Sequence, residues 1–238
     1  YFDHVVRTKN HDSKKSRTPI QAGAELIGSN SATDDAELIN LMLDTLKKFT
    51  SKKIFLDIGH VGIFKKLMSF AKLEIEQEKQ IKKLIRSKST SEIKKYLSDL
   101  GIDSLLKECI GSFPRMHGSI KNILKHSDQL KFFNNDIEND INRMIKICDI
   151  VSKSHNDVEI KYDFCELNGF DYENNIIFSA YIENDSEAAS TGGRYDCDKE
   201  GISGIGFSMD TRYLLKYQSK ENKIANKSGK WILEVPNE

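Results

Sequence analysis

The 238-residue sequence holds only three prolines and one tryptophan, and no apolar run approaches the roughly 20 residues a membrane-spanning helix needs. Its longest apolar stretches, 54–58 and 176–182, are broken by polar residues and read as strands. The four cysteines (Cys109, Cys148, Cys165 and Cys197) stand far apart with no CxxC pair. That spacing argues against a zinc site or a disulfide framework, and a reduced, cytoplasmic protein is expected. The six histidines show no HxxxH spacing, so neither a structural metal nor a resident cofactor is expected. No signal-peptide pattern opens the chain. Residues 1–7 read instead as the middle of a strand, and the sequence is expected to begin inside its domain. P-loop, GxSxG and HExxH motifs are all missing. Gly201, Gly204 and Gly206 are spaced loosely like a dinucleotide-binding loop, but no strand–turn–helix follows, and the signal is discounted.

What is present is charge, and it is segregated. The formal net charge is zero and 30% of residues are charged, which with 38% hydrophobic residues suits a soluble globular chain. Lysine and arginine outnumber acids about two to one over residues 61–131, whereas acids outnumber bases nearly three to one over 132–210. Such a pattern can attract a phosphorylated ligand, nucleic acid or an oppositely charged partner. The simpler reading of the basic stretch is a solvated helical surface, since no aromatic residues interleave it in a way that calls for nucleic acid.

Periodicity divides the chain into three regions. Residues 1–60 read strand, loop, strand, helix, strand: 2–8 and 20–27 as an antiparallel pair, 34–49 as a helix capped near Thr33, and 53–59 as a buried strand. Residues 61–154 read as helices, with the clearest break at 111–118 around Pro114. The stretch from Asn134 to Val151 puts Ile137, Ile141, Met144, Ile145 and Cys148 on one face. Residues 155–238 return to strands at 158–164, 174–182 and 205–209. Turns are expected at Asn168-Gly169 and Thr191-Gly192-Gly193, then a helix capped by Asp210 and a last strand at 231–235. This order predicts an α+β domain, 1–60 with 155–238, interrupted by a helical insertion over 61–154.

Four segments are candidates for chemistry. In Gln21-Ala22-Gly23-Ala24-Glu25, alternation puts Gln21, Gly23 and Glu25 on one strand face, where an amide and a carboxylate can receive a ligand ammonium. His60, between Gly59 and Gly62 at a strand-to-helix turn, has no evident acidic partner and reads as structural. Residues 167–174 join two strands. In Gly192-Gly193-Arg194-Tyr195-Asp196 the glycines permit close backbone approach, and Arg194 offers a planar fork for carboxylate or phosphate.

In this order, the segments resemble the class II aminoacyl-tRNA synthetase fold of histidyl-tRNA synthetases and of their paralogues, the regulatory subunits of ATP phosphoribosyltransferase. The resemblance implies an antiparallel sheet flanked by helices. Val5-Val6-Arg7 and Arg17-Thr18-Pro19-Ile20-Gln21 look like the two strands of motif 2, and 206–214 sits where motif 3 belongs. Residues 167–174 and 192–196 look like the two histidine-specific segments. The catalytic pattern is broken: Lys9 stands where an acid is expected, Asn168 for an arginine, and Asp210 and Tyr213 for a small residue and the arginine that packs on ATP. An enzyme activating histidine needs fixed positive groups around the reacting phosphate. The resemblance therefore implies a non-catalytic regulatory subunit that binds L-histidine as effector and assembles with the short-form catalytic subunit into a hetero-oligomer, with no membrane or nucleic acid involved. Its histidine-binding residues would be Arg7, Gln21, Glu25, Tyr172, Gly192, Gly193 and Arg194, with Glu173 replacing a second tyrosine. The alternative is a divergent histidyl-tRNA synthetase catalytic core.

Overall fold

A computed structural model describes residues 1–6, 17–28, 30–167, 173–197 and 201–217. The elements in chain order are β1 (Phe2–His4), β2 (Ile20–Ile27), α1 (Ala32–Lys47), β3 (Ile54–His60), α2 (Val61–Ala71), α3 (Ile75–Arg86), α4 (Thr90–Ser98) and α5 (Ser104–Ser112). There follow β4 (His117–Ser119), α6 (Ser127–Lys131), α7 (Asp136–Ser154), β5 (Glu159–Asp163), β6 (Glu173–Ile182), β7 (Ala188–Asp196), β8 (Ser203–Asp210) and α8 (Thr211–Leu214). Among the described residues the strands form one eight-stranded sheet in the order β1-β2-β8-β7-β6-β3-β5-β4. All neighbours are antiparallel except β3 and β5, which are parallel.

Local chemistry sets the helices. Ser31, two residues before the expected cap, starts α1 through a capping box: its hydroxyl accepts from the Asp34 N–H at 3.2 Å, and the Asp34 carboxylate accepts from the Ser31 N–H at 3.1 Å. Ala36, Ile39, Met42, Leu43 and Leu46 then recur every three or four residues and are fully buried. In α7 the buried stripe is Ile137, Ile141, Met144, Ile147, Cys148 and Val151. Helices α1, α2 and α7 pack on one face of the sheet, against residues such as Ile58, Phe178, Ala180, Ile205 and Phe207. Leu106, Ile110 and Phe113 from the helical stretch belong to the same core. That stretch also contributes β4, which pairs with β5 at the sheet edge.

One expectation is overturned. The glycine pair at Gly192-Gly193, read as a turn, lies inside strand β7, where Gly192 faces Phe178 on β6 and Phe207 on β8. A Cβ on Gly192 would stand 2.2 Å from the Gly206 carbonyl oxygen and 2.6 Å from the Phe178 ring, so glycine here makes room for neighbours within the sheet. The helix expected after Asp210 is only a single α-helical turn followed by a 3-10 turn, Leu215–Tyr217. The strand expected at 231–235 lies outside the described residues.

Candidate ligand-binding site

Period-two alternation sends Ile205, Phe207 and Met209 of β8 into the core and turns Gly204, Gly206 and Ser208 to the opposite face of the sheet. There the strands β2, β8, β7 and β6 floor a cavity of about 650 Å³, within the range of about 300–1,000 Å³ usual for small-molecule sites. Gly206 pairs with Glu25 across the β2–β8 ladder, and Gly204 with Tyr195 across β7–β8. Both glycines leave bare backbone on which larger side chains lie. A Cβ on Gly206 would fall 1.9 Å from a Glu25 carboxylate oxygen, and one on Gly204 would fall 2.9 Å from the Tyr195 ring. The spacing Gly204-x-Gly206, discounted as a loop motif, is thus the signature of a cleared strand face.

On that floor the Tyr195 hydroxyl donates to the Glu25 carboxylate at 2.7 Å. Burial, followed by this bond and the charge of Glu25, holds the Tyr195 phenol well above its ordinary pKa. Across the cavity, Tyr181 is pushed up to about 12 by burial and then by Glu166 and Asp57. Tyr1 is raised by burial and by Glu25. The three phenols are thus raised first by burial and then by nearby acids, Glu25 for Tyr1 and Tyr195 and Glu166 with Asp57 for Tyr181, and Glu187 also lines the cavity. No lysine, arginine or histidine joins them among the described lining residues.

The structure sorts the expected site residues. Glu25, Gly192 and Gly193 line the cavity. Gln21 shares the face of Glu25 but pairs with Asp210 and lies outside the described lining. Four residues along a strand separate the two by roughly 13 Å, too far for them to share one ammonium. Arg194 does not line the cavity among the described residues. Alternation turns it to the helix-bearing face, where it is 2% exposed, and its Nε and Nη2 donate to Asp35 at 2.9 and 2.6 Å. Its fork is occupied by a carboxylate of this chain. Arg7, Lys9, Asn168 and Tyr172 lie outside the described residues, as does the side chain of Glu173. Tyr195, from the candidate segment 192–196, also lines the cavity, as do Glu166 and Tyr181, which the sequence did not single out; only the pairing of distant strands brings them together.

The residues standing in motif 3 have local partners. Asp210 caps α8, accepting from the N–H groups of Arg212 and Tyr213 at 3.0 and 3.3 Å. The Tyr213 hydroxyl donates to Asp185 at 2.6 Å, and Lys216 lies 3.4 Å from the Tyr213 ring centroid. Burial alone would raise the Asp185 carboxyl, but hydrogen bonds from Lys216, Tyr213 and Tyr217 hold it well below the ordinary carboxylate range. His60 sits away from the cavity, 2% exposed, with its Nε2 3.8 Å from Asp140. Burial lowers its pKa to about 4, so the ring is neutral near pH 7, as a structural histidine should be.

Comparisons agree with this architecture. The sequence profile of the histidyl-tRNA synthetase family matches residues 1–214. The ATP phosphoribosyltransferase regulatory subunit of Hahella chejuensis is 32% identical over 225 residues, 93% of this chain and 56% of that protein. Its counterpart in Marinobacter nauticus is 31% identical over 227 residues, 90% of this chain and 56% of that protein. The chain thus spans about half the length of the curated relatives it matches. Among solved structures, a protein from Bacillus halodurans described as an ATP phosphoribosyltransferase regulatory subunit/histidyl-tRNA synthetase superposes with a TM-score of 0.76 at 20% identity, covering 92% of this chain and 57% of that one. The ATP phosphoribosyltransferase complex of Thermotoga maritima superposes with a TM-score of 0.67 at 20% identity, covering 88% and 71%. The expected class II synthetase-like fold is therefore the fold observed.

Proposed function

The chain belongs to the histidyl-tRNA synthetase family, and we propose that it is part of a non-catalytic regulatory subunit of ATP phosphoribosyltransferase that receives histidine without activating it. The observation that carries the reading is the charge of the cavity. Activation of an amino acid by ATP builds negative charge on phosphate, and catalysis requires cationic groups fixed around it. Glu25, Glu166 and Glu187 offer the opposite, and the fork of Arg194 is engaged by Asp35 on the other face. Carboxylates and phenols suit instead an ammonium or an imidazole. The curated relatives named above favour the regulatory branch over the synthetase branch.

In this role the subunit assembles with the short-form catalytic subunit into a hetero-oligomer in the cytoplasm, where the first step of histidine biosynthesis takes place. Feedback follows only if histidine binds the inhibited assembly more tightly than the active one. Titration calorimetry on the full-length protein tests the receptor half: histidine binds, and Glu25→Ala weakens it. Co-elution with the catalytic subunit and a changed rate test the partner half. Histidine-dependent ATP–pyrophosphate exchange would instead establish a synthetase and end the regulatory reading.

A further inference from the structure

The cavity floor is poor in the side chains that ordinarily hold strands in register. Gly193 of β7 pairs with Gly206 of β8, Gly23 of β2 pairs with Ser208, and Gly204 and Gly206 lie bare beneath Tyr195 and Glu25. Glycine-rich strands are those whose register is weakly specified and prone to slip. Yet the 2.7 Å bond from Tyr195 to Glu25 runs from β7 to β2 across the whole width of β8. Residues rise about 3.4 Å along an antiparallel strand, so a slip of one rung would break that bond and turn the side chains of the slipped strand to the wrong face.

On the opposite face, one carboxylate reaches three strands of this floor. Asp35 is fully buried in the first turn of α1. Its Oδ1 holds Arg194 of β7, whose Nη1 donates at 2.9 Å to the hydroxyl of Ser203, where β8 begins. The Ser203 carbonyl accepts from the Gly28 N–H at 2.9 Å, just past the end of β2. The other oxygen of Asp35 holds Arg143 of α7, and Arg143 Nη1 donates at 3.2 Å to the Asn30 carbonyl in the link from β2 to α1. This clamp fastens β2, β8 and β7 at one end, next to Tyr195. A buried ion pair is often no more stabilising than apolar packing of the same volume; what it can add is the selection of one arrangement. Building on the receptor reading above, we infer that Asp35 is a positioning residue of the ligand site. From the face away from the cavity, it holds β7 and β8 in the register that brings Tyr195 onto Glu25.

The experiment compares Asp35→Asn with Met42→Ala in the full-length protein. Met42 is fully buried further along the same helix, so its truncation loosens α1 while leaving the carboxylate in place. Calorimetry with L-histidine is run at a temperature where circular dichroism shows both variants folded. Asp35→Asn should bind about tenfold more weakly than wild type, as when a charge-assisted hydrogen bond in a site is broken, and Met42→Ala should bind as wild type does. Amide hydrogen exchange should quicken in β7 and β8 of Asp35→Asn more than in β3 and β5, a contrast that Met42→Ala should lack. If Asp35→Asn does not fold, Ser203→Ala, which cuts one arm of the clamp without removing a charge, takes its place with the same direction expected. Affinity that Asp35→Asn leaves unchanged, or that both variants lower alike, overturns the positioning role and leaves the receptor reading standing. If the wild type binds no histidine, the receptor reading falls and the exchange contrast alone decides the clamp: present, the clamp stands; absent, it falls too.

Discussion

Arg194 on β7 and Asp35 on α1, 159 residues apart in sequence, meet as a buried ion pair, Nε and Nη2 of the arginine both donating to Oδ1 at 2.9 and 2.6 Å. The second carboxylate oxygen is taken by Arg143 of α7, whose Nε and Nη2 donate at 2.8 and 2.6 Å. One fully buried carboxylate therefore joins a strand of the cavity floor to two helices beneath it. This holds the arginine that follows the cavity glycines on the face away from the cavity. Along a strand, neighbours face opposite ways, and the guanidinium that follows Gly193 must point to the helices.

Removing the carboxylate charge leaves two guanidiniums without their counter-ion, one of them only 2% exposed. Breaking a buried ion pair from one side typically costs about 3–5 kcal/mol. Asp35→Asn is therefore expected to lower stability by about 3 kcal/mol or more, read as a fall in the urea midpoint. Asp34→Asn, which weakens the exposed capping box, should cost about 1 kcal/mol. Equal losses in the two variants would refute the assignment of Asp35 as the joint.

How far the sequence could be read follows the range of the interactions. The limits of β2 follow from local periodicity and stand where the pattern puts them, and the α7 stripe shares Ile137, Ile141, Met144 and Cys148 with the expected face, with Ile147 and Val151 buried and Ile145 only partly so. Strand β7 was hidden because Gly192-Gly193 is chemically indistinguishable from a turn until Phe178, from another strand, is known to need the space. The setting of Arg194 is hidden in the sequence for a similar reason: its partners Asp35 and Ser203 come from elements brought together only by folding. Alternation alone puts Glu25 on the strand face that carries the cavity, whereas its hydrogen bond to Tyr195 depends on β2 and β7 flanking β8.

Gly206→Ala separates site from fold. The new Cβ would collide with the Glu25 carboxylate, the far end of a flexible side chain, and with no backbone atom among its nearest neighbours. The carboxylate can swing away, so the stability change should stay within about 1 kcal/mol. The swing breaks the bond from Tyr195, and histidine affinity should drop about tenfold, equivalent to about 1.4 kcal/mol. Calorimetry and a melting curve on the same preparation check both halves; unaltered affinity would mean that Glu25 does not touch the ligand.

Tyr213→Phe tests the cluster at the cavity rim. The hydroxyl donates to Asp185 and, at 3.3 Å, to the backbone oxygen of Glu187, so its loss frees the turn that carries Glu187. A hydrogen bond to a charged group contributes about 1.5–3 kcal/mol. The variant should be destabilised near the lower figure, with Lys216 and Tyr217 still holding Asp185. Because the Asp185 carboxyl is held below its ordinary value, this stabilisation is present at neutral pH and fades as pH falls through the carboxylate range. The stability gap between wild type and variant should therefore narrow in acid. A gap that does not change with pH would dissociate Tyr213 from the ionised carboxylate.

His60 makes the second pH prediction, with a window of its own. Its ring is buried, and its pKa falls from 6.5 to about 4, chiefly through burial, against the opposing pull of Asp140 and alongside the repulsion of Lys66 and Arg143. Between those two values the unfolded chain takes up a proton that the folded chain refuses. Stability therefore rises with pH across the window and is lost as pH falls from 6.5 towards 4, by about 3 kcal/mol in total. His60→Gln keeps a polar side chain and removes the titration. The variant should start less stable at pH 7 and lose less on acidification, so that the two urea-midpoint curves converge by pH 4.5. Parallel curves over that range would show that His60 is protonated in the folded protein, with Asp140 as its counter-ion.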